Sequence, residues 1–406
     1  MHDSSGVLFV TRYYWPELIG SAPFSTDIAE WLTAHGRQTT VVSGLPHYPD
    51  AAVFPEYRNC RRVRETVSGV DVERLRAGPP RRASAISRIA NEVEFLLRGL
   101  MALASGRVRR HSVVLALCPS ILSVALGVAA RRRDGVCVAI VHDIQSGLAE
   151  KLGMIGGGRL ATLMRTCERA VLNRTDMVVV LSKEMKDQLR RIGVTTPIEV
   201  VPLWVDIDHL QQAPAGARSG VKVLYSGNLG RKQGLGQVVE LARELSIRRS
   251  DIEVVLRGNG NQAAELATEI ARLGLTNIRL VDLQPNEALG PALAAGDIHL
   301  VPQRPDAAAF AVPSKVFNIM AVGRTFVATA LPDSVLGRLQ RQSGAFLCVP
   351  PDDSLRFAEA VIELADNHRL RQELGQRGRE FVEQHYAKPQ ILGHLMSRLD
   401  AFSAGR

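Results

Sequence analysis

Tyr225-Ser-Gly-Asn-Leu-Gly-Arg-Lys-Gln-Gly234 stands directly after the apolar run Lys222–Tyr225 and directly before a helical pattern. A strand, a glycine turn and a helix in that order aim free backbone N–H groups at the carboxyl edge of a sheet, where phosphate is favoured. Gly227, Gly230 and Gly234 let a ligand come close to the backbone, and Asn228 lies among them. Arg231 and Lys232 add two positive charges where a diphosphate could sit. The spacing is GxxGxxxG rather than GxGxxG, so the dinucleotide fingerprint is absent and a nicotinamide dehydrogenase is disfavoured. A second glycine turn, Gly258-Asn259-Gly260, closes the next strand.

Outward from this stretch the same alternation recurs. After it come strand candidates Glu253–Arg257, Ile278–Val281, Ile298–Val301, Phe326–Ala328 and Phe346–Val349, with helices Gln262–Leu273 and Ser354–Ala365 between them. Before it come Val7–Val10, Thr40–Ser43, Val113–Leu117, Val138–Val141, Met177–Leu181 and Glu199–Val201, with helices such as Phe24–His35 and Arg159–Asn173. Strands alternating with helices predict parallel sheets covered on both faces. The chain of 406 residues is too long for one ordinary domain. Its Ala/Gly/Pro-rich stretch QQAPAGARSG, 211–220, reads as a linker. The expected plan is therefore α/β with two Rossmann-like, doubly wound domains, 1–210 and 221–388, followed by a last helix over 389–406.

The net charge of +9 is uneven: residues 1–200 hold 27 Lys and Arg against 19 Asp and Glu, and residues 201–406 hold 23 against 22. No zinc-finger spacing or aromatic-basic platform accompanies the excess, so nucleic acid is not expected as a partner. An anionic membrane surface is the favoured one. Ser84–Gly106 is apolar and flanked by Arg81, Arg82, Arg107, Arg109 and Arg110. It reads either as a packing helix or as an interfacial one, with Phe95, Leu96, Leu97, Leu100 and Met101 at the lipid boundary. Ser112–Ala130 carries no charge, but Pro119-Ser120 divides it into strand and helix rather than a span. Five scattered cysteines without a CxxC pair, and an N-terminus without a basic leader region, fit a reducing, cytoplasmic setting.

Three further features carry chemistry. Gly20-Ser21 follows the first strand and precedes a helix, as a phosphate-facing loop or as an ordinary turn. His142-Asp143 follows strand Val138–Val141; a histidine there could bond sugar hydroxyls, move a proton, or serve structure alone. In Val312-Pro-Ser-Lys-Val-Phe-Asn318, Lys315 and Asn318 share a helical face behind Ser314, which is either part of the site or a helix cap. Glu168 and Asp176 fit solvation as well as function, and Asp206-Ile-Asp208 lacks the further ligands a metal would need.

YYWPELIGSAPFSTDIAEWLTAHG, GLPHYP (Gly44–Pro49), His142-Asp143, Glu168, Asp176, Ser182 and VVPLWVD in the first half, with YSGNLGRKQGL, LRGNGN, AAGDIHLVPQ and VPSKVFNIMAVG in the second, jointly resemble the retaining, two-domain family 4 glycosyltransferases. The similarity is greatest to the colanic acid and exopolysaccharide subgroup. The resemblance implies the GT-B arrangement, two domains facing across a cleft. It implies a nucleotide-sugar donor held mainly by the second domain, no cofactor or metal, and a lipid-linked or saccharide acceptor on the first. The last helix would cross back to the first domain. Gly20 would lie against the donor phosphate, His142 would face the transferred sugar, and Lys232, with Arg231 competing, would contact the diphosphate. Lys315 joins His142 and Lys232 as a catalytic candidate. Gly20, Ser21, Gly227, Asn228, Arg231, Gly258, Ser314 and Asn318 are the donor-binding candidates. The family often carries two glutamates eight residues apart, and Phe310 and Asn318 occupy those places here. A carboxamide can still bond a ribose diol, without the charge-assisted part, about 1–2 kcal/mol. A nucleotide-sugar 2-epimerase of the same fold and a non-catalytic scaffold in polysaccharide assembly are the competing readings. A peripheral place on the inner face of the plasma membrane is expected.

Overall fold

Val7–Val10 (β1), buried over its whole length, is an inner strand of an eight-stranded sheet. With Thr39–Gly44 (β2), Val63–Val67 (β3), Val70–Leu75 (β4), His111–Cys118 (β5), Arg131–Val141 (β6), Met177–Val180 (β7) and Ile198–Val200 (β8), the order is β3-β4-β2-β1-β5-β6-β7-β8. The second sheet comprises Lys222–Ser226 (β9), Glu253–Arg257 (β10), Ile278–Val281 (β11), Ile298–Pro302 (β12), Thr325–Thr329 (β13) and Leu347–Val349 (β14), ordered β11-β10-β9-β12-β13-β14. This computed structural model describes residues 6–17, 20–47, 52–58, 63–79, 85–118, 120–144, 159–211, 220–230, 233–284, 288–304 and 314–404. Strand order reverses beside β1 in one sheet and beside β9 in the other, which puts the loops after those two strands at the positions where doubly wound sheets take ligands.

The continuous apolar runs behave as strands covered on both faces should: Leu8, Phe9, Leu115, Ala116, Val223 and Leu256 have no exposed surface. One pair departs from the parallel plan. β3 and β4 are antiparallel, joined at Ser68-Gly69, both with positive φ (50° and 78°). Two adjacent residues of that kind make the tight turn whose twist matches a hairpin. The alternation in Val63–Leu75 carries this hairpin in plain view, but its charged residues leave no apolar run to draw attention to it.

The chain divides into two units, Met1–Pro202 with Leu392–Arg406, and Leu203–Ile391. The division falls at 202/203 rather than at 210 because 203–210 is tied to the second unit. Val205 bridges to Ala387, and the Asp206 carboxylate lies 3.4 Å from Lys388 Nζ. Asp206 also accepts from the His209 N–H at 3.0 Å, so the DxD carboxylate has a structural task. Helix Lys388–Ala404 ends among first-unit residues, with Asp400 paired to Arg37 and Arg398 to Glu199. Most of the expected linker, 212–219, lies outside the described residues.

Helix Ala85–Ala104 shows two faces. Asn91, Phe95, Gly99 and Ala102 point inward; a Cβ on Gly99 would come within 2.3 Å of the Leu126 side chain, so glycine sets how closely the two helices approach. Phe95 therefore belongs to the core rather than to a lipid boundary: it lies on the inward stripe, with the Arg12 guanidinium 5.3 Å from its ring centroid. Ile89, Val93, Leu97, Leu100 and Met101 form the opposite stripe and stand in solvent, Leu97 at 53% and Met101 at 59% exposure. Ser112–Ala130 folds as the end of β5 and helix Ile121–Ala130, and among the described residues no helix is long and apolar enough to cross a membrane.

Candidate functional site

In the second unit the turn after β9 is built by backbone packed on backbone. Gly227 N–H donates to Arg257 O at 3.0 Å, Leu229 N–H to Asn259 O at 2.9 Å, and Gly258 N–H to Val281 O at 2.9 Å. The two glycine turns thus brace each other. A Cβ on Gly258 would stand 1.9 Å from Gly227 O, and one on Gly260 would stand 2.4 Å from Leu229 O. Gly227 itself has φ of 144°, a conformation that side-chain-bearing residues rarely adopt. Asn228, exposed, uses its carbonyl to accept the Tyr225 hydroxyl at 2.7 Å.

Lys315 meets this turn from helix Lys315–Ala321, which follows the Ser314 position. Its Nζ lies 3.6 Å from the Tyr225 ring centroid and 3.7 Å from where a Gly227 Cβ would stand. The amine is buried and has no hydrogen-bond partner among the described residues. Burial lowers its pKa from 10.5 to about 7. A desolvated cation over a tyrosine face gains about 2 kcal/mol, less than the cost of burying the charge unpaired. The amine is thus placed to receive an anion. Ser314 makes no side-chain cap, so the capping alternative finds no support, and Asn318 is half-buried one turn along the helix. Lys232, Arg231 and Phe310 lie outside the described residues.

At the same edge a cavity of about 820 Å³ is bordered by Gly234, Gln237, Gln262, Arg304, Asp352 and Phe357, with Glu240 and Asp353. Its carboxylates suit hydroxyl groups better than phosphate.

Several polar groups at the first unit's edge tie its loops together. The buried Arg12 guanidinium donates to Ala77 O at 3.1 Å, Gly78 O at 2.8 Å and Asn91 Oδ1 at 2.7 Å. A Cβ on Gly44 would lie 1.7 Å from that guanidinium, so glycine there makes room for Arg12. The Glu17 carboxylate accepts from Tyr14 N–H at 3.2 Å and His47 N–H at 2.9 Å. His47, the histidine of the GLPHYP stretch, bonds Leu45 O through Nδ1 at 2.9 Å, and burial lowers its pKa to about 4.

His142 follows β6. Its backbone N–H donates to Cys118 O at 3.1 Å and its ring meets Phe24 edge-on at 5.5 Å. Nε2 is buried without a partner among the described residues, and burial lowers its pKa to about 4. At neutral pH the imidazole is uncharged, able to give or accept one hydrogen bond. Gly20 has φ of 72°, and Ser21, at the start of helix Ala22–Ala34, makes no cap; its Oγ is buried and open. The fold brings Lys315 to Gly227, Gly227 to Gly258, and His142 to the helix that Ser21 begins. Tyr225 has no evident task in the sequence; a tyrosine ending a strand is ordinary until the helix that carries Lys315 is laid over it.

Residues 20–204 match the glycosyl transferase 4-like domain, and residues 220–367 match the glycosyl transferases group 1 domain. The chain is 28% identical over 401 residues, 95% of its length and 97% of the other's, to a chain of Escherichia coli (strain K12) named as a colanic acid biosynthesis glycosyl transferase, WcaI. Among solved structures it is similar to the sucrose-phosphate synthase of Thermosynechococcus elongatus, with TM-score 0.78, 17% identity and 99% and 100% of the two chains covered. It is likewise similar to Anabaena HepE in complex with UDP-glucose, with TM-score 0.72, 15% identity and 98% and 100% covered.

Proposed function

This chain belongs to the glycosyltransferases that join a 4-like domain to a group 1 domain on the GT-B fold, and from that premise we propose that it moves a sugar, with retention, from a nucleoside diphosphate sugar to a lipid-linked or saccharide acceptor in exopolysaccharide assembly. The observation that carries the donor assignment is the unpaired buried amine of Lys315 against the glycine turn of β9. Negative charge grows on the departing nucleotide diphosphate, and a fixed positive group there acts where charge develops. We assign Lys232, or Arg231 beside it, to the same diphosphate, Gly227, Asn228, Gly258 and Ser314 to the turn that receives it, and Asn318 to a ribose hydroxyl. No metal or cofactor takes part in this scheme. The acceptor hydroxyl attacks from the face the nucleotide leaves, and its proton passes to the leaving phosphate.

On the first unit, neutral His142 suits a sugar hydroxyl, and Gly20 and Ser21 supply a loop for the donor phosphate. HepE was solved with UDP and glucose, which supports a uridine donor as the first to try. The exposed stripe Ile89, Val93, Leu97, Leu100 and Met101, with exposed Arg109 and Arg110 beyond the helix end, supports peripheral contact with an anionic bilayer at the cytoplasmic face. A thermal-shift screen with UDP, GDP, dTDP and CDP sugars tests the donor class, because a ligand held only by the folded chain raises Tm. A rise with one base and transfer of its sugar to an acceptor lipid extract supports the reading. Binding with sugar isomerisation and no transfer would favour the epimerase, and no binding the scaffold.

A further inference from the structure

Resting on the donor reading above, the geometry around Lys315 carries a consequence for how that donor is taken up. The amine is enclosed by the Tyr225 ring and the Gly227 turn, with no carboxylate bonded to it among the described residues. Among the described residues, the other charged and titratable groups near it have fixed states. His299 on β12 bonds Leu293 O at 3.0 Å, and burial lowers its pKa to about 3, so it stays neutral. Arg257 donates to Ala292 O at 2.6 Å and Arg324 to Ala294 O at 3.0 Å, and both remain cationic. Burial pushes the Tyr225 phenol up, so it stays protonated as the donor to Asn228 O. Among these groups only Lys315, lowered to about 7, changes charge near neutrality. The fixed neighbours are neutral or positive, so they do nothing to hold a proton on Lys315 while the site is empty.

We propose that Lys315 takes a proton from solvent as the diphosphate arrives and returns it when the nucleotide leaves, so that donor loading is coupled to proton uptake. The incoming anion is the missing counter-charge: it favours the ammonium form, as an opposite charge a few ångströms away does for any amine. The amine is a compact donor that shifts readily when buried, so the coupling depends on lysine rather than on positive charge alone.

Calorimetric titration with UDP-glucose, GDP-mannose and dTDP-glucose, whose diphosphate diesters do not themselves titrate near neutrality, tests this. It is run from pH 6 to 9 in two buffers of different ionisation enthalpy. Wild type should take up close to one proton per donor at pH 8. Its Kd should rise about fivefold from pH 7 to 8 and about tenfold from pH 8 to 9, as the charged fraction of the free enzyme falls. Lys315→Arg, charged throughout, should bind with a flat profile and no proton uptake; circular dichroism melts confirm that it is folded. A flat wild-type profile without proton uptake overturns the coupling and leaves the donor reading standing. A Lys315→Arg profile that keeps the wild-type slope also overturns it, by placing the proton elsewhere. Binding of none of the three sugars at any pH removes the donor reading and the coupling together.

Discussion

At the edge of the first sheet the buried charges of Arg12 and Glu17 have partners: Arg12 has two carbonyls and Asn91, and Glu17 has two backbone N–H groups. At the edge of the second, Lys315 has a tyrosine face and, among the described residues, no anion. Burial acts on both edges in the same direction, lowering His142 to about 4 and Lys315 to about 7, but the outcomes differ in kind. A neutral imidazole with an unpartnered ring nitrogen, as His142 has among the described residues, is a hydrogen-bonding group fit for a hydroxyl. An amine poised near neutrality is an unfinished ion pair, fit for phosphate. Two sheets of similar plan thus offer chemically different edges.

The sharpest way to break this contrast is Gly258→Ala. The added Cβ would meet Gly227 O at 1.9 Å, far inside contact distance, so the two turns must separate. We expect nucleotide-sugar affinity to fall by about 100-fold or more and Tm to drop by several degrees; wild-type affinity would show that the braced turns are unrelated to the donor. Lys315→Met should weaken donor binding by about 10- to 100-fold, the scale of one lost charge-assisted contact. The same variant should be more stable than wild type by a few kcal/mol near neutral pH. The sign follows from linkage: the folded amine titrates at about 7 and the unfolded one at 10.5, so between those values the unfolded chain binds more protons and wild-type stability rises with pH. Urea melts at pH 6, 8 and 10 check that the difference between the two proteins shrinks as pH rises. A variant less stable than wild type at every pH would mean that Lys315 is held by something other than a ligand.

His142→Gln keeps a hydrogen-bonding side chain and should lower turnover by about tenfold with little change in donor affinity. Its stability should also respond less to acid. The His142 pKa is depressed from 6.5 to about 4, so stability is lost as pH falls through that window, and this share disappears in the variant. Equal acid sensitivity in the two proteins would assign the effect to His47 and His299. The smallest effect is expected from Leu97→Glu with Met101→Glu on the exposed stripe. Flotation with vesicles of anionic phospholipid should fall severalfold while donor affinity stays the same; unchanged flotation would remove the stripe from the membrane reading.

The doubly wound plan was legible because buried parallel strands are apolar on both faces: Val138–Val141 and Met177–Val180 announce themselves without any knowledge of neighbours. The hairpin β3-β4 is hard to read from the sequence, since its strands alternate charge with valine at a sheet edge. At the site, the glycine turn and Lys315 were each readable from strand–turn–helix order. That Lys315 rests on Tyr225 was not, because 90 residues separate them and only the fold superposes them. The two faces of helix Ala85–Ala104 show the same limit: its sequence shows a wealth of apolar residues, but which of Phe95 and Leu97 is covered depends on where Arg12 and Leu126 end up. The bond by which His47 ties its loop to Leu45 O likewise appears only in the fold.

On the proposed function, the second sheet's edge is an anion site completed by a nucleoside diphosphate. A crystal structure of the enzyme soaked with UDP tests it most directly. A diphosphate oxygen should lie within hydrogen-bond distance of Lys315 Nζ, beside the Gly227 turn. A nucleotide bound with its phosphates elsewhere, and Lys315 still closed against Tyr225, would contradict it.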